Sequence, residues 1–585
     1  MARRDRPRAA AASREAGSGV VPRPLPSPGP LAFLLAVSIL AAIVLHGSAL
    51  RGPFVFDDVQ IIRSPLYHAE ALSDVARPLF APGVPRRLGR ASFALNYYFD
   101  GLDPEGYHLV NVLAHAANAV LLALLAWSLL GLLPPDHPWV PRAAPIAVAG
   151  AALWFVHPVQ TQAVAYVWQR YTCLSATFFL ACLLAYVRAR AGARSPRLLF
   201  AASGLCGLLA LLTKESAGTL PLVIVLIEWA FLAPRQGSAA RRWRALLTGA
   251  AGFAVIAAVF LGPRFIEMMA ADFARRGFTA TERLLTQSRV VVHYLSLIAL
   301  PHPSRLNLDY DFPLSRSLLE PPTTLLSVVA LAAALGVAVA RWGRDRLLSF
   351  AILWFFVTQV VESTVVPLEL VYEHRLYTPS MFPLVFLAGG LWARVPSATA
   401  RGLVLGAVLV VFSVWTVERN RYWADPVALL EDNAAKSPHK ARVHTNLAWA
   451  YSERGRLEEA GQALERALAL DPDQIAAYQN LAAIHFQGGR KARARALLEE
   501  AVRRAPRYMQ AHVDLAAVCM QVGDAGRAAE HLRRALELLH EKPQTRSQAQ
   551  TYESLGQALL MAGDASGAQA ALARARDLER GLADP

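Results

Sequence analysis

The chain has little cysteine and little charge for its length. It has 585 residues but four cysteines, and their positions show no metal-ligand spacing, so neither a zinc site nor a disulfide framework is expected. Only 18% of the residues are charged, whereas 55% are apolar. The net charge of +15 would suggest nucleic acid in a soluble protein, but no nucleic-acid motif accompanies it. We therefore predict that the protein has no nucleic-acid partner. At 585 residues, the chain is also too long for one ordinary domain.

Long apolar runs fill the chain from Leu31 to about Val417 and then stop. A bilayer core needs about 20 apolar residues per helical span. We predict an all-α membrane region, 31–420, with eleven spans near residues 31–50, 107–133, 143–157, 171–187, 198–213, 217–233, 245–262, 323–340, 347–362, 378–393 and 402–418. The first run could also be a cleaved signal peptide, but its length favours a retained span.

The stretch 284–300 is a twelfth candidate span. Arg289 and His293 lie in its middle, and a charge at a helix centre costs about 2.5–3.5 kcal/mol on insertion scales. A twelfth crossing would also move two Arg-rich loops to the other side of the membrane. We therefore expect this helix to lie in the interface or to dip into the outer leaflet.

The arginines predict the orientation, because short cytoplasmic loops are rich in Arg and Lys and also contact anionic lipid. With eleven spans, every short Arg-rich loop falls on the side of the Ala/Arg/Pro-rich tail 1–30, which we predict to be disordered and cytoplasmic. The outer side then holds loops 51–106, 263–322 and 363–377 and everything after the last span. The Ala/Arg-rich composition, together with the resemblance that the motifs below carry, suggests a bacterial inner membrane, in which case the outer side is the periplasm.

A 34-residue repeat occupies the C-terminal part and predicts tetratricopeptide (TPR) repeats. After a linker at 421–437, we assign residues 438–582 to about four copies, at 441–474, 475–508, 509–542 and 549–582. The positions in register include Gly455, Gly489 and Gly523, and small residues such as Ala460, Ala494 and Ala528. Stacked repeats bury a continuous core and leave a concave surface, which predicts protein or peptide binding without naming the partner.

Two adjacent carboxylates, Asp57 and Asp58, follow the first predicted span on its outer side. One reading is a general base and a helper: one aspartate takes a proton from an acceptor hydroxyl, and the other tunes its pKa or orients it. The other reading is a pair that caps a helix at the start of a loop. The Asp-Asp dipeptide alone favours the helix cap. The polar residues elsewhere in the membrane region favour the general base and helper.

That context is a set of polar residues at the outer ends of other predicted spans. Ionisable groups at membrane depth are functional candidates, and Arg forms paired hydrogen bonds to phosphate. Together they could line a cavity for an anionic lipid headgroup. The set comprises His157, Arg170, Lys214, Glu215, Glu373, His374 and Arg375.

Several short motifs, in this order, resemble the transmembrane-and-TPR protein O-mannosyltransferase family and its bacterial relatives. They are Phe-Asp-Asp at 56–58, Asn-Tyr at 96–97, Gly-Tyr-His-Leu-Val-Asn at 106–111, His-Pro-Val-Gln-Thr-Gln-Ala-Val at 157–164, Lys-Glu-Ser at 214–216 and Glu-His-Arg-Leu-Tyr at 373–377. The resemblance implies a C-type (GT-C) glycosyltransferase fold and a sugar donor linked to polyprenyl phosphate. In related protein mannosyltransferases the acidic pair is Asp-Glu and its Asp is catalytic, which implies that role for Asp57, with the shorter Asp58 replacing the Glu.

The leading hypothesis is transfer of mannose or a similar hexose from that donor to a Ser/Thr hydroxyl or another envelope acceptor held on the repeats. No cofactor is certain, and the carboxylates would permit a divalent metal without requiring one. The alternative is a non-catalytic membrane scaffold for envelope assembly. A transporter is disfavoured, because the charges lie at span ends and the membrane part shows no repeated halves.

Overall fold

The computed structural model describes residues 27–232, 247, 249, 251–254, 263–539 and 546–583. Within these ranges the regular elements are helices and none is a strand, so the all-α prediction is confirmed. Most of the predicted tail 1–30, most of the predicted span 245–262 and the loop arginines Arg235, Arg241, Arg242 and Arg244 lie outside the described residues.

The chain divides into two compact units. The first, here the membrane unit, extends to Asp425 but leaves out the segment Asp309–Asp311. The second, here the repeat unit, comprises that segment and the chain from Pro426 onward.

The described part of the membrane unit contains helices of very different length, joined by short 3₁₀ turns. The main helices are Pro28–His46, Arg87–Asp100, Pro104–Leu130, Ala143–Phe155, Arg170–Arg190, Pro196–Thr213, Leu220–Ile227, Pro263–Arg276, Ala280–Ala299, Thr323–Arg341, Arg346–Gln359, Met381–Arg394 and Ala398–Trp423. Shorter helices are Val59–Arg63, Arg77–Phe80 and Thr161–Ala165, and a π-helical turn, Glu228–Leu232, extends Leu220–Ile227.

Among the described residues, seven helices are long and apolar enough to cross a bilayer, and a bent pair, Ala143–Phe155 with Pro158–Ala165, would make an eighth. The seven are Gly29–His46, Pro104–Leu130, Val167–Arg190, Pro196–Thr213, Glu215–Leu232, Thr323–Arg341 and Ala398–Trp423. Some of them expose large apolar side chains, as at Val339 and Leu403, a surface suited to lipid. The chain is a multi-pass membrane protein, and the count of eleven spans stays a prediction.

Three other helices correspond to predicted spans or to the predicted interfacial helix, but they are not long and apolar enough to cross a bilayer. Arg346–Gln359 and Met381–Arg394 are shorter apolar helices at the predicted spans 347–362 and 378–393. Ala280–Ala299, predicted to lie at the interface, is not among the helices that could cross. Its Arg289 donates to the carbonyl oxygen of Pro313 at 2.8 Å.

The repeat unit is a stack of helix pairs, and its described helices have the TPR register. They are Pro426–Lys436, Ala441–Glu453, Leu457–Leu470, Ile475–Gln487, Lys491–Arg504, Met509–Gln521, Ala525–Leu539, Arg546–Met561 and Ala565–Ala583. At each turn between paired helices stands a glycine with φ between +71° and +84°, a conformation that side chains with a Cβ resist. Buried alanines in register let the two helices of a pair approach closely.

The segment 421–437, predicted as a linker, is mostly helical. Helix Pro426–Lys436 packs against Ala441–Glu453 because Val427, Leu429 and Leu430 are buried. The apolar spacing of these residues turns the segment into part of the repeat unit.

Candidate functional site

The Asp turn, residues Phe56–Asp58, is a single 3₁₀ turn in the loop after the first apolar helix. Asp58 closes it: its Oδ2 accepts a hydrogen bond from the backbone N–H of Val55 at 3.0 Å. Phe56 has a φ of +56°, which is uncommon for a side chain of that size. Phe54, just before the turn, packs edge-on against Tyr107 with ring centroids 5.2 Å apart.

Asp58 is fully buried and holds the turn against a second segment. Its other oxygen, Oδ1, accepts the backbone N–H of Trp168 at 2.6 Å. Burial raises the pKa of Asp58 well above its usual value, and the two backbone donors act in the opposite direction. Because both of its carboxylate oxygens accept backbone hydrogen bonds, Asp58 holds the geometry of the turn, and its predicted role as a catalytic helper stays a prediction.

Asp57 is exposed, and within the described residues its carboxylate receives no hydrogen bond or ion pair. Its backbone N–H donates to the hydroxyl of Tyr166 at 2.9 Å, which fixes the main chain beneath the side chain. The two neighbouring aspartates are therefore not equivalent. Asp58 positions the turn, and Asp57 presents a free carboxylate.

A group of charged and polar side chains, here the charge cluster, comes from four separate stretches of the membrane unit. Its members are Arg86, Lys214, Glu215, Glu362, His374 and Arg375. The sequence predicted four of these as site residues. Arg86 was missed, and Glu362 was noted only as the end of a span.

Lys214 and Glu362 form the buried centre of the charge cluster. Their Nζ and Oε1 atoms are 2.6 Å apart, and Nζ also donates to Thr172 Oγ1 at 3.0 Å. Burial lowers the pKa of Lys214, with Glu362 opposing that shift.

Arg86 and Glu215 form the more exposed edge of the charge cluster. The guanidinium Nε lies 3.1 and 3.0 Å from the two carboxylate oxygens of Glu215. The guanidinium also lies over the ring of Tyr171, 5.2 Å from its centroid. Arg86 has a φ of +56° at the start of helix Arg87–Asp100. The only sequence signal for it is a Pro-Arg-Arg run, 85–87, in an otherwise acidic outer loop.

His374 and Arg375 complete the charge cluster on the turn Glu373–Leu376. His374 Nδ1 lies 3.0 Å from Gln162 Oε1, and burial followed by Lys214 and Arg375 lowers the pKa of His374 well below its usual value. The neutral ring therefore donates from Nδ1. Neighbouring Glu373 accepts the backbone N–H of Asn307, which anchors the turn.

Arg375 is the one cation of the charge cluster without an ion pair among the described residues. It is 4% exposed, donates to the carbonyl oxygen of Leu370 at 3.2 Å and lies over the ring of Tyr372, 5.5 Å from its centroid. A guanidinium has five N–H donors. Arg375 therefore retains donors for an anionic ligand.

A narrow polar cleft opens beside these groups. Most members of the charge cluster and several hydroxyl side chains line it. The polar lining residues are Thr172, Ser175, Lys214, Ser216, Thr219, Thr358, Glu362, His374, Arg375 and Thr378.

Two tyrosines flank the residues of interest. The hydroxyl of Tyr166 accepts from the backbone N–H of Asp57. Tyr372 stacks on His374 with ring centroids 5.0 Å apart.

Arg170 and His157, also predicted as substrate-binding residues, are occupied elsewhere. The Arg170 guanidinium donates to Asn111 Oδ1, the Ser92 carbonyl and the Tyr107 carbonyl at 3.3, 3.0 and 2.8 Å. The ring of His157 is buried where one apolar helix ends, 3.0 Å from the carbonyl of Ile298. Both side chains have structural partners, and a role in binding a donor stays a prediction.

Within the described ranges, no three His, Cys, Asp or Glu side chains form a group that could hold a metal ion. Of the two adjacent aspartates, only Asp57 offers unoccupied oxygens. The divalent metal that the carboxylates would permit stays a prediction.

Comparison with known proteins agrees with both units. The tetratricopeptide repeat family models match residues 425–484 and 475–508. Protein O-mannosyl-transferase Tmtc3 of Drosophila melanogaster is 26% identical, over 74% of this chain and 54% of its own. Protein O-mannosyl-transferase TMTC1 of Homo sapiens is 24% identical, over 78% of this chain and 56% of its own. The resemblance to the transmembrane-and-TPR family is confirmed.

The matched relatives are larger than this chain, which spans about half of their length. A shorter match, to protein O-mannosyl-transferase tmtc2 of Xenopus laevis, is 41% identical over 18% of this chain and 11% of that protein. Among solved structures, MamA from Desulfovibrio magneticus covers 26% of this chain and 84% of its own, at 19% identity and a TM-score of 0.24.

Proposed function

We propose that the protein is a membrane glycosyltransferase that moves a hexose from a polyprenyl-phosphate donor to a hydroxyl of a protein acceptor. The observation that carries the proposal is the division of labour in the Asp turn. Asp58 is buried and hydrogen-bonded through both carboxylate oxygens, and the neighbouring Asp57 is exposed, with a carboxylate that no described residue pairs. The names of the relatives support the same reaction class.

The acid–base step falls to Asp57. Its carboxylate takes the proton of the acceptor hydroxyl as the oxygen attacks the anomeric carbon. The bond from that carbon to the phosphate oxygen breaks on the opposite face, so the anomeric centre inverts. The sugar leaves on the acceptor, and polyprenyl phosphate carries away the bonding electron pair.

The charge cluster would bind the phosphate and stabilise its developing charge. Arg375 is the first contact, because it has no ion pair to give up and it lines the cleft. Lys214 and Arg86 already pair with Glu362 and Glu215. These two cations would act on the phosphate while still paired with the two glutamates. Because the pairing nearly balances the charges, it lowers the free-energy cost of burying these side chains.

The membrane unit would then hold the donor, and the repeats would raise the local concentration of acceptor. The site and the repeats would both face the periplasm of a bacterial inner membrane, in the orientation that the arginines predict.

The test is sugar transfer by the full chain in proteoliposomes, from radiolabelled polyprenyl-phosphate hexoses to envelope proteins. We expect Asp57→Asn to lower the transfer rate by about 10²- to 10⁴-fold, the usual contribution of a general base. Glu70→Gln is the matched control, since Glu70 is an exposed acid in the same loop and should leave the rate unchanged. Full activity of Asp57→Asn would overturn the assignment, and no transfer by any form would favour the scaffold.

A further inference from the structure

Two residues other than glycine have a positive φ in the described part of the chain, and both belong to the candidate site. Phe56 lies in the Asp turn and Arg86 in the charge cluster, each with a φ of +56°. A side chain with a Cβ crowds the backbone in this left-handed region, whereas glycine adopts it freely. Strained residues persist only where their surroundings hold them, and they concentrate at functional sites. Neighbouring groups must therefore hold Phe56 in this conformation.

The chain changes direction sharply at Phe56. Val55 before it is extended, with a φ of −130° and a ψ of 152°, whereas Asp58 after it is in the right-handed helical region. Asp57 lies between the strained residue and the helical one. Relaxation of Phe56 toward a negative φ would rotate the peptide unit that leads into Asp57, and the Asp57 carboxylate would turn with it.

Three hydrogen bonds that involve a side chain hold the Asp turn, and one of them reaches Asp57 directly. In two of them, the backbone N–H groups of Val55 and Trp168 donate to Asp58. The third joins the backbone N–H of Asp57 to the hydroxyl of Tyr166 at 2.9 Å. Among the described residues, Tyr166 is the only one whose side chain bonds to Asp57.

Tyr166 is itself held rigidly. It is 1% exposed, and its ring stacks on the ring of Trp423 with centroids 5.7 Å apart and planes 26° from parallel. Trp423 is also buried, and its carbonyl oxygen lies against Gly52, where a Cβ would be only 2.5 Å from that oxygen. Gly52 thus lets the segment that leads into the Asp turn pass close to Trp423. The hydroxyl of Tyr166 is a fixed point against which the turn is set.

We propose that Tyr166 is a positioning residue, whose hydroxyl keeps Phe56 in the left-handed conformation and thereby aims the Asp57 carboxylate. The strain and the hydrogen bond are of similar size, each about 10-fold in an equilibrium constant, so the loss of the bond is enough to let the turn relax. The inference rests on the proposed function, in which Asp57 is the base. Misplacement of a catalytic group by about 1 Å can cost about 100-fold in rate.

The first test is the transfer assay with Tyr166→Phe, which removes one oxygen and keeps the ring that stacks on Trp423. We expect kcat to fall about 10-fold and the KM for the donor to change less than about 2-fold, because the charge cluster is untouched. Tyr107→Phe is the matched control, since Tyr107 is also fully buried and its hydroxyl donates to the carbonyl of Gly101 at 2.8 Å rather than to the Asp turn. An unchanged kcat in Tyr166→Phe would overturn the inference.

A second change, at Phe56, tests the strain itself. Asn adopts the left-handed conformation more readily than most residues with a Cβ. In the Tyr166→Phe background, Phe56→Asn should therefore raise kcat about 3-fold or more, since the turn then needs no hydroxyl to stay in place. Phe56→Leu keeps the strain and should raise nothing. Equal recovery with both changes, or recovery with neither, would show that the hydroxyl does not act against strain, and the inference would fail.

Hydrogen exchange gives a readout that does not depend on transfer. In the full chain in nanodiscs, mass spectrometry of the fragment that contains residues 55–58 reports how often the turn opens. Tyr166→Phe should speed this exchange about 10-fold, and Tyr107→Phe should leave it unchanged. Faster exchange with an unchanged kcat would mean that Tyr166 holds the turn without aiming Asp57, which contradicts the positioning role.

Asp57→Asn separates this inference from the proposed function. If Asp57→Asn abolishes transfer and Tyr166→Phe leaves kcat unchanged, the function stands and the positioning role is wrong. If Asp57→Asn keeps full transfer, the proposed function is wrong, and the exchange rate in Tyr166→Phe still decides whether the hydroxyl holds Phe56.

Discussion

One ion pair from each unit shows what burial does to two paired charges. In the membrane unit, Lys214 and Glu362 pair at 2.6 Å with side chains only 6% and 10% exposed. In the repeat unit, Arg534 and Glu537 pair at 2.7 Å with side chains 48% and 62% exposed. The first pair lies in a candidate site, and the second lies on a solvated helix face. The two N–O distances are nearly equal, but the free-energy cost of desolvating the charges is much higher for the first pair. Burial removes the water that would otherwise stabilise each charge.

The difference shows where each unit is vulnerable. The candidate site of the membrane unit contains buried charges that are paired with each other. The loss of one partner therefore leaves the other charge buried and uncompensated, away from water. The repeat unit stabilises its stack with alanines and with glycine turns, so its weak points are shape and backbone conformation.

Breaking the buried pair should have the largest effect on stability. Lys214→Met leaves Glu362 buried without its main partner, and we expect a loss of about 3–5 kcal/mol. Unfolding in mixed micelles of dodecyl maltoside and dodecyl sulfate, followed by tryptophan fluorescence, measures it. Arg534→Met is the matched control and should cost less than about 1 kcal/mol.

The double variant Lys214→Met with Glu362→Met sharpens that result. Because it removes both charges, it should be more stable than the single Lys214 variant. If the double variant is the less stable of the two, the cost belongs to packing and not to an uncompensated charge.

Lowering the pH should affect the membrane unit next. Burial holds the pKa of His374 well below its usual value of 6.5, so the folded protein keeps the ring neutral. Below pH 6.5 the unfolded chain binds a proton that the folded chain refuses, and stability falls by up to about 1.4 kcal/mol per pH unit. Above pH 6.5 the ring is neutral in both states, and this contribution to the pH dependence vanishes.

The matched pair of variants for this effect is His374→Asn and His439→Asn. The first keeps an N–H donor near Gln162 but cannot titrate, so between pH 6.5 and 5.5 it should lose about 1 kcal/mol less than wild type. His439→Asn makes the same change at an exposed position of the repeat unit and controls for the general effect of replacing a histidine. Identical slopes for wild type and His374→Asn would show that other groups carry the pH dependence.

The same contrast explains what the sequence could and could not predict. The repeat register was readable, because glycine at a left-handed turn and alanine at a close helix contact are local requirements of the fold. The charge cluster was only partly readable. Lys214 and His374 stand out as ionisable residues at span ends, but Arg86 finds Glu215 across 129 positions from an irregular loop.

Burial is the property that the sequence hides most completely. Asp57 and Asp58 are chemically identical neighbours, and only the fold makes one exposed and the other buried between Val55 and Trp168. Arg170 shows the same limit. An arginine at the end of a span suggests an anion, whereas its donors lie on protein carbonyls that the sequence gives no reason to bring together.

The smallest effect tests the repeat unit's dependence on backbone conformation. Gly489 has a φ of +74°, with nothing within 4 Å of where a Cβ would be, so Gly489→Ala adds backbone strain without a clash. We expect a loss of about 1–2 kcal/mol, the cost of placing an L-residue in the left-handed region. Gly461→Ala is the matched change inside helix Leu457–Leu470, where the nearest atom, on Leu481, is 3.9 Å away. It should stabilise by about 0.5–1 kcal/mol, because alanine favours a helix over glycine. Urea unfolding of the full chain in nanodiscs, followed by far-ultraviolet circular dichroism, compares the two. If the two variants change the free energy of unfolding in opposite directions, the stability of the repeats depends on the backbone conformation of their turns. If both change it in the same direction, the space available to the side chain decides instead, and this part of the contrast between the units is wrong.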